Sequence, residues 1–525
     1  MVKIVLNNLT SKIVGYLSDE IHSQLDKTLS YKVLNARFSP KFKKKQWDGI
    51  IRLYRRNYGQ SFYSGLLSYV SEILDENKIP FQKVDERIKP IQNLPHLVFS
   101  PPENYEEREY QQFTIKKAIE KTRGILKMAT GSGKTVVASE IISKIKTSPF
   151  MFYVLTEDLL RQAYEVLSST LNEPIGMIGG GEFDIKNINV CTIQTAIRAL
   201  HGGEKIKISD YRFDDEDTWS DKDLLSIEKK KALHKLISEL NGLMIDETHH
   251  VASRTAKEVM LASPNAFWRY GLSATPWRED GAEIIIQAMF GKKIVDVSAS
   301  YLIKNNYLVK PYILFDPIDD DCSLHSYPSI YKQCVSENDA FNTRVANIAN
   351  YLISKGLSVL ILVHQYKQGD YIKNLLPSDI EFLTGKMNRN ARKKSLRDIK
   401  EGKTKCIIGT TLFDEGVDCP CLDAVLMAGG GASSTRVYQR IGRTLRTKGI
   451  KDKALVIYFE HNAKHLEKHA KKARKIMKEE PEFEIIKSSG GDFIFDEIDN
   501  IYGYSSNRND LFGVMKELSV QPSSQ

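Results

Sequence analysis

The sequence predicts an α/β protein: two tandem domains built on parallel sheets, preceded by a small α+β module. Three observations carry that prediction. From about residue 105, short apolar runs alternate with longer amphipathic segments. The alternation restarts after about residue 310. The first 60 residues differ in charge from everything that follows. Strand-sized apolar runs separated by helix-length segments are the pattern of parallel sheets with crossover helices. A chain of 525 residues also has room for about three or four units of ~150 residues.

Residues 1–95 form the expected first module. MVKIVL and IIRLY read as strands and SGLLSYVSEILDENK as a helix. Pro90, Pro95, Pro101 and Pro102 then fall within thirteen residues, which reads as a linker. In the next domain, 96–305, FMFYVLT, INVCTIQ, GLMIDE and FWRYGLSA are the strands, and residues 201–231, with DDEDTWSDKD inside, read as a polar surface insertion. In the second, 306–470, LSVLILV, IEFLTG, KCIIGTT, AVLMAGG and ALVIYF repeat the rhythm. A tail of residues 471–525 completes the expected division. At its start HNAKHLEKHAKKARKIMKEE spaces lysines three and four apart, as an exposed basic helix does. That helix reads either as a nucleic-acid backbone contact or as a solvated face, and the remainder shows no recognisable chemistry.

Composition removes several classes. Hydrophobic residues make up 42% and charged residues 27%, ordinary for a folded soluble protein. No stretch approaches the ~20 consecutive apolar residues of a membrane helix, and MVKIVLNNLTSK lacks the features of a signal peptide. Of six cysteines, Cys191, Cys322, Cys334 and Cys406 are isolated, and Cys419 and Cys421 flank Pro420. Neither a structural zinc site nor an iron–sulfur cluster is spaced this way, so reduced thiols in an intracellular protein are expected.

The net charge is +9, and it is concentrated. Residues 1–60 hold twelve Lys/Arg against four acids, a net +8 from about a tenth of the chain. A one-sign block of this kind points to a polyanion such as nucleic acid. Within RFSPKFKKKQWDGIIRLYRR, Phe38, Phe42, Trp47 and Tyr54 interleave with Lys43, Lys44, Lys45, Arg52 and Arg55. Cations neutralise phosphates while aromatic rings stack on exposed bases. The competing reading is a small domain with a solvated basic face, and Trp47 reads better as core than as a stacking residue.

GILKMATGSGKTVVASEIISKI reads strand, glycine loop, helix. Around Thr130-Gly131-Ser132-Gly133-Lys134-Thr135, backbone N–H groups can turn inward about phosphates beside a helix N-terminus. Lys134 can reach the β- and γ-phosphates of ATP and the Thr135 hydroxyl can ligate Mg²⁺. Met128 stands where the general motif has glycine. The strand GLMI runs into Asp246-Glu247-Thr248-His249-His250, 112 residues after Lys134. Asp246 is placed to hold Mg²⁺ and Glu247 to orient and deprotonate water. The adjacent histidines lack a third ligand for a metal site of their own.

These motifs, taken in order, resemble the superfamily 2 nucleic-acid helicases and translocases over residues ~105–460. Arg108-Glu109-Tyr110-Gln111 resembles the Q motif, which implies that Gln111 reads adenine. Leu155-Thr156-Glu157 with Gln162, Gly179–Gly181 and Thr192-Ile193-Gln194-Thr195 resemble the strand-contacting motifs, which implies nucleic-acid contacts for Gln194 and Thr195. DETHH resembles motif II, although Thr248 departs from the commoner DEAH and DEAD. Ser273-Ala274-Thr275 resembles the motif that links hydrolysis to domain movement. Thr410-Thr411 with Gly416-Val417-Asp418 resembles motif V, implying a nucleic-acid contact for Thr410 and nucleotide contacts for Gly416 and Asp418. QRIGRTLR, residues 439–446, resembles motif VI. Arg443 and Arg446, three apart on one helical face, would stabilise the transferring phosphoryl group. Hydrolysis would then require closure of a cleft between the domains.

The resemblance implies RecA-like motor domains, ATP and Mg²⁺ as cofactors, DNA as partner and a cytoplasmic location, in a host cytoplasm if the chain is phage-encoded. Arg278 lies in Arg-Glu-Asp after the SAT motif, which resembles the RED motif of XPB-like helicases and also reads as a helix-initiating surface cluster. The basic leading segment is similar to that of phage UvsW-type helicases, which act on forks and Holliday-type junctions. The expected activity is ATP-dependent unwinding or branch migration of branched DNA. The alternatives are an XPB-like duplex translocase or a DNA-stimulated ATPase that remodels protein–DNA complexes without separating strands.

Overall fold

A computed structural model describes residues 1–504 except 35, 104, 202–225, 276–280, 379, 386, 388, 411–421, 430–440 and 442–452. Contacts divide the chain into two compact units, one of Met1–Ala129 with Gly133–Val297, the other of Thr130–Ser132 with the chain from Ser298 on.

The first unit holds two main sheets and a short ribbon. The leading module contains β1 (Val2–Leu6), β2 (Thr10–Val14), β3 (Ser30–Lys32), β4 (Ile50–Arg52), β5 (Tyr54–Arg55), β6 (Ser61–Tyr63) and β7 (Phe81–Asp85). Five of them form a sheet in the order β5-β6-β2-β1-β7, and β3 and β4 pair separately as an antiparallel ribbon. The helices Asp19–Thr28 and Leu67–Glu76 bury Ile21, Leu25, Val70, Ile73 and Leu74 against this sheet. Ser18 caps the first by accepting the N–H of Ile21.

The larger part of the same unit contains β8 (Arg123–Met128), β9 (Phe150–Val154), β10 (Ile175–Gly179), β11 (Glu182–Phe183), β12 (Ile188–Thr192), β13 (Gly242–Ile245), β14 (Trp268–Ser273) and β15 (Lys293–Val297). Their order is β11-β10-β12-β9-β13-β14-β8-β15, and every pairing except β10 with β11 is parallel. β9, β12 and β13 are buried along their whole length, as strands covered on both faces must be. Thr156 and Thr192, at the carboxyl ends of β9 and β12, each accept an N–H three residues on and so start the helices Glu157–Thr170 and Ile193–Leu200.

The leading module is packed against this domain rather than tethered to it. Gly65 lies so close to it that a Cβ there would lie 2.2 Å from the carbonyl oxygen of Gln287. Asn8 donates to the carbonyl of Asn265 at 2.6 Å and accepts at its own carbonyl from Arg123, while Lys292 pairs with Glu72. The proline-rich stretch read as a linker also lies on the domain. Leu94 and Leu97 are buried, Asn93 donates to the Ser148 hydroxyl at 2.8 Å, and Phe99 bridges Leu171. The prolines stop regular structure there without freeing the chain.

The second unit contains β16 (Lys310–Ile318), β17 (Val359–Leu362), β18 (Glu381–Leu383), β19 (Cys406–Gly409), β20 (Ala424–Met427), β21 (Lys453–His461) and β22 (Glu484–Lys487), in the all-parallel order β18-β19-β17-β20-β21-β16-β22. Two expectations are corrected here. Helix Ala299–Lys304 belongs to this unit, so the division falls near Val297 rather than at 305. Residues beyond 470 do not begin a tail. Helix Lys464–Met477 runs through that position, β22 adds an edge strand beside β16, and helix Phe493–Tyr502 buries Ile494, Phe495, Ile498 and Ile501 in the core. EIIK was too short, and its neighbours too polar, to be read as a strand from the sequence. Within the segment read as an insertion, residues 202–225 lie outside the described residues, and from Ile227 the chain is a helix capped by Ser226.

Candidate nucleotide and nucleic-acid sites

Ligands of parallel α/β sheets bind at the carboxyl ends of the strands, and the sequence-predicted residues of the first unit gather there. β8 leads into the glycine loop, and helix Lys134–Ile145 starts directly after Gly133. Gly131 at φ +84° and Gly133 at φ +80° take left-handed conformations open to glycine. Gly133 has a second constraint, because a Cβ on it would lie 2.7 Å from the Gln111 side-chain nitrogen. Gln111 itself is buried, and its side-chain carbonyl accepts the Tyr105 hydroxyl at 2.7 Å. No sequence motif marked Tyr105, whose hydroxyl holds the Gln111 side chain, and burial pushes its phenol up to about 12.

β13 delivers the acids to the same end. The Lys134 ammonium lies 3.3 Å from Glu247 Oε1 and 4.0 Å from Asp246 Oδ1, with all three side chains largely withdrawn from solvent. The carboxylates titrate in opposite directions. Burial raises Asp246 to about 6, partly countered by Lys134. Burial also opposes ionisation of Glu247, but Lys134, His249 and His250 outweigh it and draw that group down to about 2. Lys134 favours the ionised form of both acids, and Glu247, with the nearer contact and the two histidines besides, is drawn down the further. Glu247 is held at φ +52°, a left-handed geometry that costs a residue with a Cβ about 1–2 kcal/mol.

From Glu247 the contacts continue to β14. The Ser273 hydroxyl donates to Glu247 Oε2 at 3.2 Å, lies 3.3 Å from His249 Nδ1 and accepts the Thr275 N–H at 3.1 Å. His249 is therefore turned toward a serine, and among the described residues no group of three or more His, Cys, Asp or Glu could hold a metal ion. The Thr248 departure also has a structural account. Its buried hydroxyl donates to the carbonyl of Leu272 at 2.9 Å, and a Cβ on Gly271 would lie 2.5 Å from that oxygen. Thr248 thus ties the end of β13 to β14 across a gap kept open by glycine.

The expected nucleic-acid residues divide. Thr195 is buried and its hydroxyl accepts that of Thr192 at 2.8 Å, Gln194 is half-buried on the same first turn, and Thr410 is buried at the end of β19. Lys43, Lys44 and Lys45 are exposed. Trp47 is half-buried and donates its indole N–H to the Ile50 carbonyl at 2.8 Å. Arg52 is held by Asp26 at 2.9 Å and Asp48 at 2.6 Å, and Arg55 lies over Tyr63 and donates to its hydroxyl at 3.1 Å. Tyr54 is buried, whereas the exposed rings of the module are Phe38, Tyr16 and Tyr58. Gly416, Asp418, Arg443, Arg446 and Arg278 lie outside the described residues.

With this geometry in place, family comparison is specific. Residues 104–278 match the family described as "Type III restriction enzyme, res subunit", and residues 343–448 match "Helicase conserved C-terminal domain". Together these cover more than half of the chain, which belongs to the superfamily 2 helicases, ATP-driven enzymes built on two RecA-like domains. Among particular relatives, it is 26% identical to "Putative helicase 22" of Sulfolobus islandicus filamentous virus, over 85% of this chain and 78% of that one. It is 26% identical to "DNA 3'-5' translocase XPB2" of Sulfurisphaera tokodaii (70% and 83%) and 21% identical to "ATP-dependent DNA helicase uvsW" of Enterobacteria phage T4 (81% and 84%). A solved structure of a variant of S. cerevisiae Dbp5 bound to RNA and ADP BeF3 shares the fold at TM-score 0.52 and 16% identity, over 76% of this chain and 93% of that one.

Proposed function

We propose that this ATP-driven helicase works inside the cell on DNA, unwinding or branch-migrating forked and junction-containing duplexes. The observation that supports the catalytic half of this reading is the Lys134 ammonium, 3.3 Å from Glu247 and 4.0 Å from Asp246 beside the glycine loop. The DNA half is supported by similarity to the archaeal XPB2 translocase and the phage uvsW helicase and by the exposed lysines of the leading module.

In this reading the loop N–H groups and the start of helix Lys134–Ile145 receive the phosphates, and Gln111 contacts the base. The Thr135 hydroxyl and Asp246 carboxylate are hard oxygen donors of the kind Mg²⁺ takes alongside phosphates and water, and Asp246 is a buried acid that needs a cation beside it. Mg²⁺ held there would neutralise charge on the β- and γ-phosphates. Lys134 moves from Glu247 to the γ-phosphate. Glu247 then loses the nearest cation that depresses its basicity, at the moment it must take a proton from water. The Ser273 contact reports that change to the end of β14. Arg443 and Arg446 are proposed as the donors that stabilise the transferring phosphoryl group.

A panel of forks, four-way junctions, displacement loops and RNA–DNA hybrids at one salt concentration tests the proposal. ATP-dependent product release from forks and junctions is expected. Hydrolysis stimulated by duplex DNA without strand separation would instead favour the duplex-translocase reading, which the XPB2 similarity supports.

A further inference from the structure

The helix Lys464–Met477 buries Leu466, Ala470, Ala473, Ile476 and Met477 against the second unit. Its outer side is almost wholly cationic. Residues 464–478 contain six lysines and one arginine against the single acid Glu467. These cations are not equivalent. Arg474 is turned inward, over the Phe315 ring at 4.2 Å and onto Glu460 at 2.5 Å, and Lys472 is half-buried. Lys464, Lys468, Lys471, Lys475 and Lys478 are exposed. Their spacing of four, three, four and three keeps them within about 80° of one helical face, in a row about 21 Å long.

Among the described residues, Lys471 alone of these five makes an ion pair, with Glu467. Lys464, Lys468, Lys475 and Lys478 make no ion pair among the described residues. Like charges three and four apart destabilise a helix, so the row costs this element stability unless a polyanion neutralises it. A solvated helix commonly mixes signs to avoid that cost. At its N-terminal flank the row adjoins Tyr327, which is 39% exposed and whose ring lies 5.3 Å from that of His469 and 6.3 Å from that of His465.

We infer that this lysine row is a second nucleic-acid contact, carried by the second unit and gripping the phosphate backbone without reading sequence. The inference rests on the proposal that the motor works on DNA and adds a surface that no motif marks. A row of about 21 Å matches more than half of the ~34 Å of one duplex turn, and lysine suits backbone phosphates as a mobile point charge. Tyr327 offers a partly exposed ring beside it for a base at a strand end.

The test is a full-length variant with all five lysines replaced by glutamine. Glutamine keeps helix propensity and removes the repulsion, so the fold is expected to persist, which circular dichroism and unstimulated ATP hydrolysis check. Binding of a forked duplex is measured from 50 to 200 mM salt. Each lost phosphate contact lowers the slope of log K against log salt by about 0.9, so the variant should lose about 3 to 4.5 of the wild-type slope, and a lysine-to-arginine variant should keep it. An unchanged slope in a folded variant overturns the inference. A wild-type protein whose hydrolysis no nucleic acid stimulates would instead sink the DNA-motor proposal, so the two failures are distinct.

Discussion

Lys134 and Lys44 carry the same charge in opposite settings. Lys134 retains 14% of its side-chain exposure and faces two buried carboxylates, whereas Lys44 stands in water on a module that carries much of the chain's excess charge. In the first setting, burial and the distances to a few neighbouring charges decide how tightly each acid holds its proton. In the second, only the number of unpaired cations matters, because water and salt screen the detail. If the buried cluster carries the chemistry and the exposed surplus charge carries the grip on DNA, as proposed, substitutions in the two regions should fail in different ways.

The largest effect is expected where charge is buried. Lys134→Ala removes the cation that neutralises Glu247 and is proposed to bind the γ-phosphate, and phosphate release should fall by at least about 10²-fold. Retained turnover would break the assignment. Glu247→Gln keeps the shape and removes the base, so kcat should drop by about 10²–10³-fold, or ~2.7–4 kcal/mol, while binding of a fluorescent ATP analogue persists. If both variants lost nucleotide binding together, Glu247 would be a binding residue and the proposed division of labour would be wrong.

A smaller effect tests the frame around those charges. Gly271→Ala would place a Cβ 2.5 Å from the Thr248 hydroxyl. Overpacking of this kind costs about 1–3 kcal/mol. The melting temperature of the unit should fall by a few degrees, and pairing it with Thr248→Ala should recover part of that loss. No recovery would mean that Thr248 is not the residue that fixes the spacing of β13 and β14.

How much of this was legible in the sequence follows the same contrast. Buried elements announce themselves, since FMFYV and GLMI can only be covered strands, and GSGKT between a strand and a helix admits few alternatives. Lys134, Asp246 and Glu247 could be singled out as candidates for that reason, and the structure brings the three together. Tyr105, which holds Gln111, could not, because a single tyrosine outside any repeat carries no local signal and its role exists only once the chain has folded back. The short edge strand β22 was missed for a related reason: four residues with two charged ends are indistinguishable from loop until a neighbouring strand supplies the hydrogen bonds. Charge in the leading module was legible as a sum but not as a pattern of pairing. Arg56, for example, counts toward +8 yet lies 2.6 Å from Asp19.

That last point yields the two predictions of smallest effect, best made together. Replacing Lys43, Lys44 and Lys45 with glutamine should weaken binding to duplex DNA and lower the salt slope by up to about 2.7, at about 0.9 per phosphate contact. Arg52→Ala removes one cation of the same block, but that guanidinium already donates to Asp26 and Asp48. A phosphate would have to displace two carboxylates to engage it, which returns as many charged contacts as it gains. Its loss should therefore change the slope by less than about 0.3, a third of one ordinary phosphate contact. If Arg52→Ala instead moved the slope by a full contact while the triple lysine variant did not, DNA would lie along the β3–β4 ribbon rather than on the lysine turn, and the distinction between paired and surplus charge would not describe how this surface works.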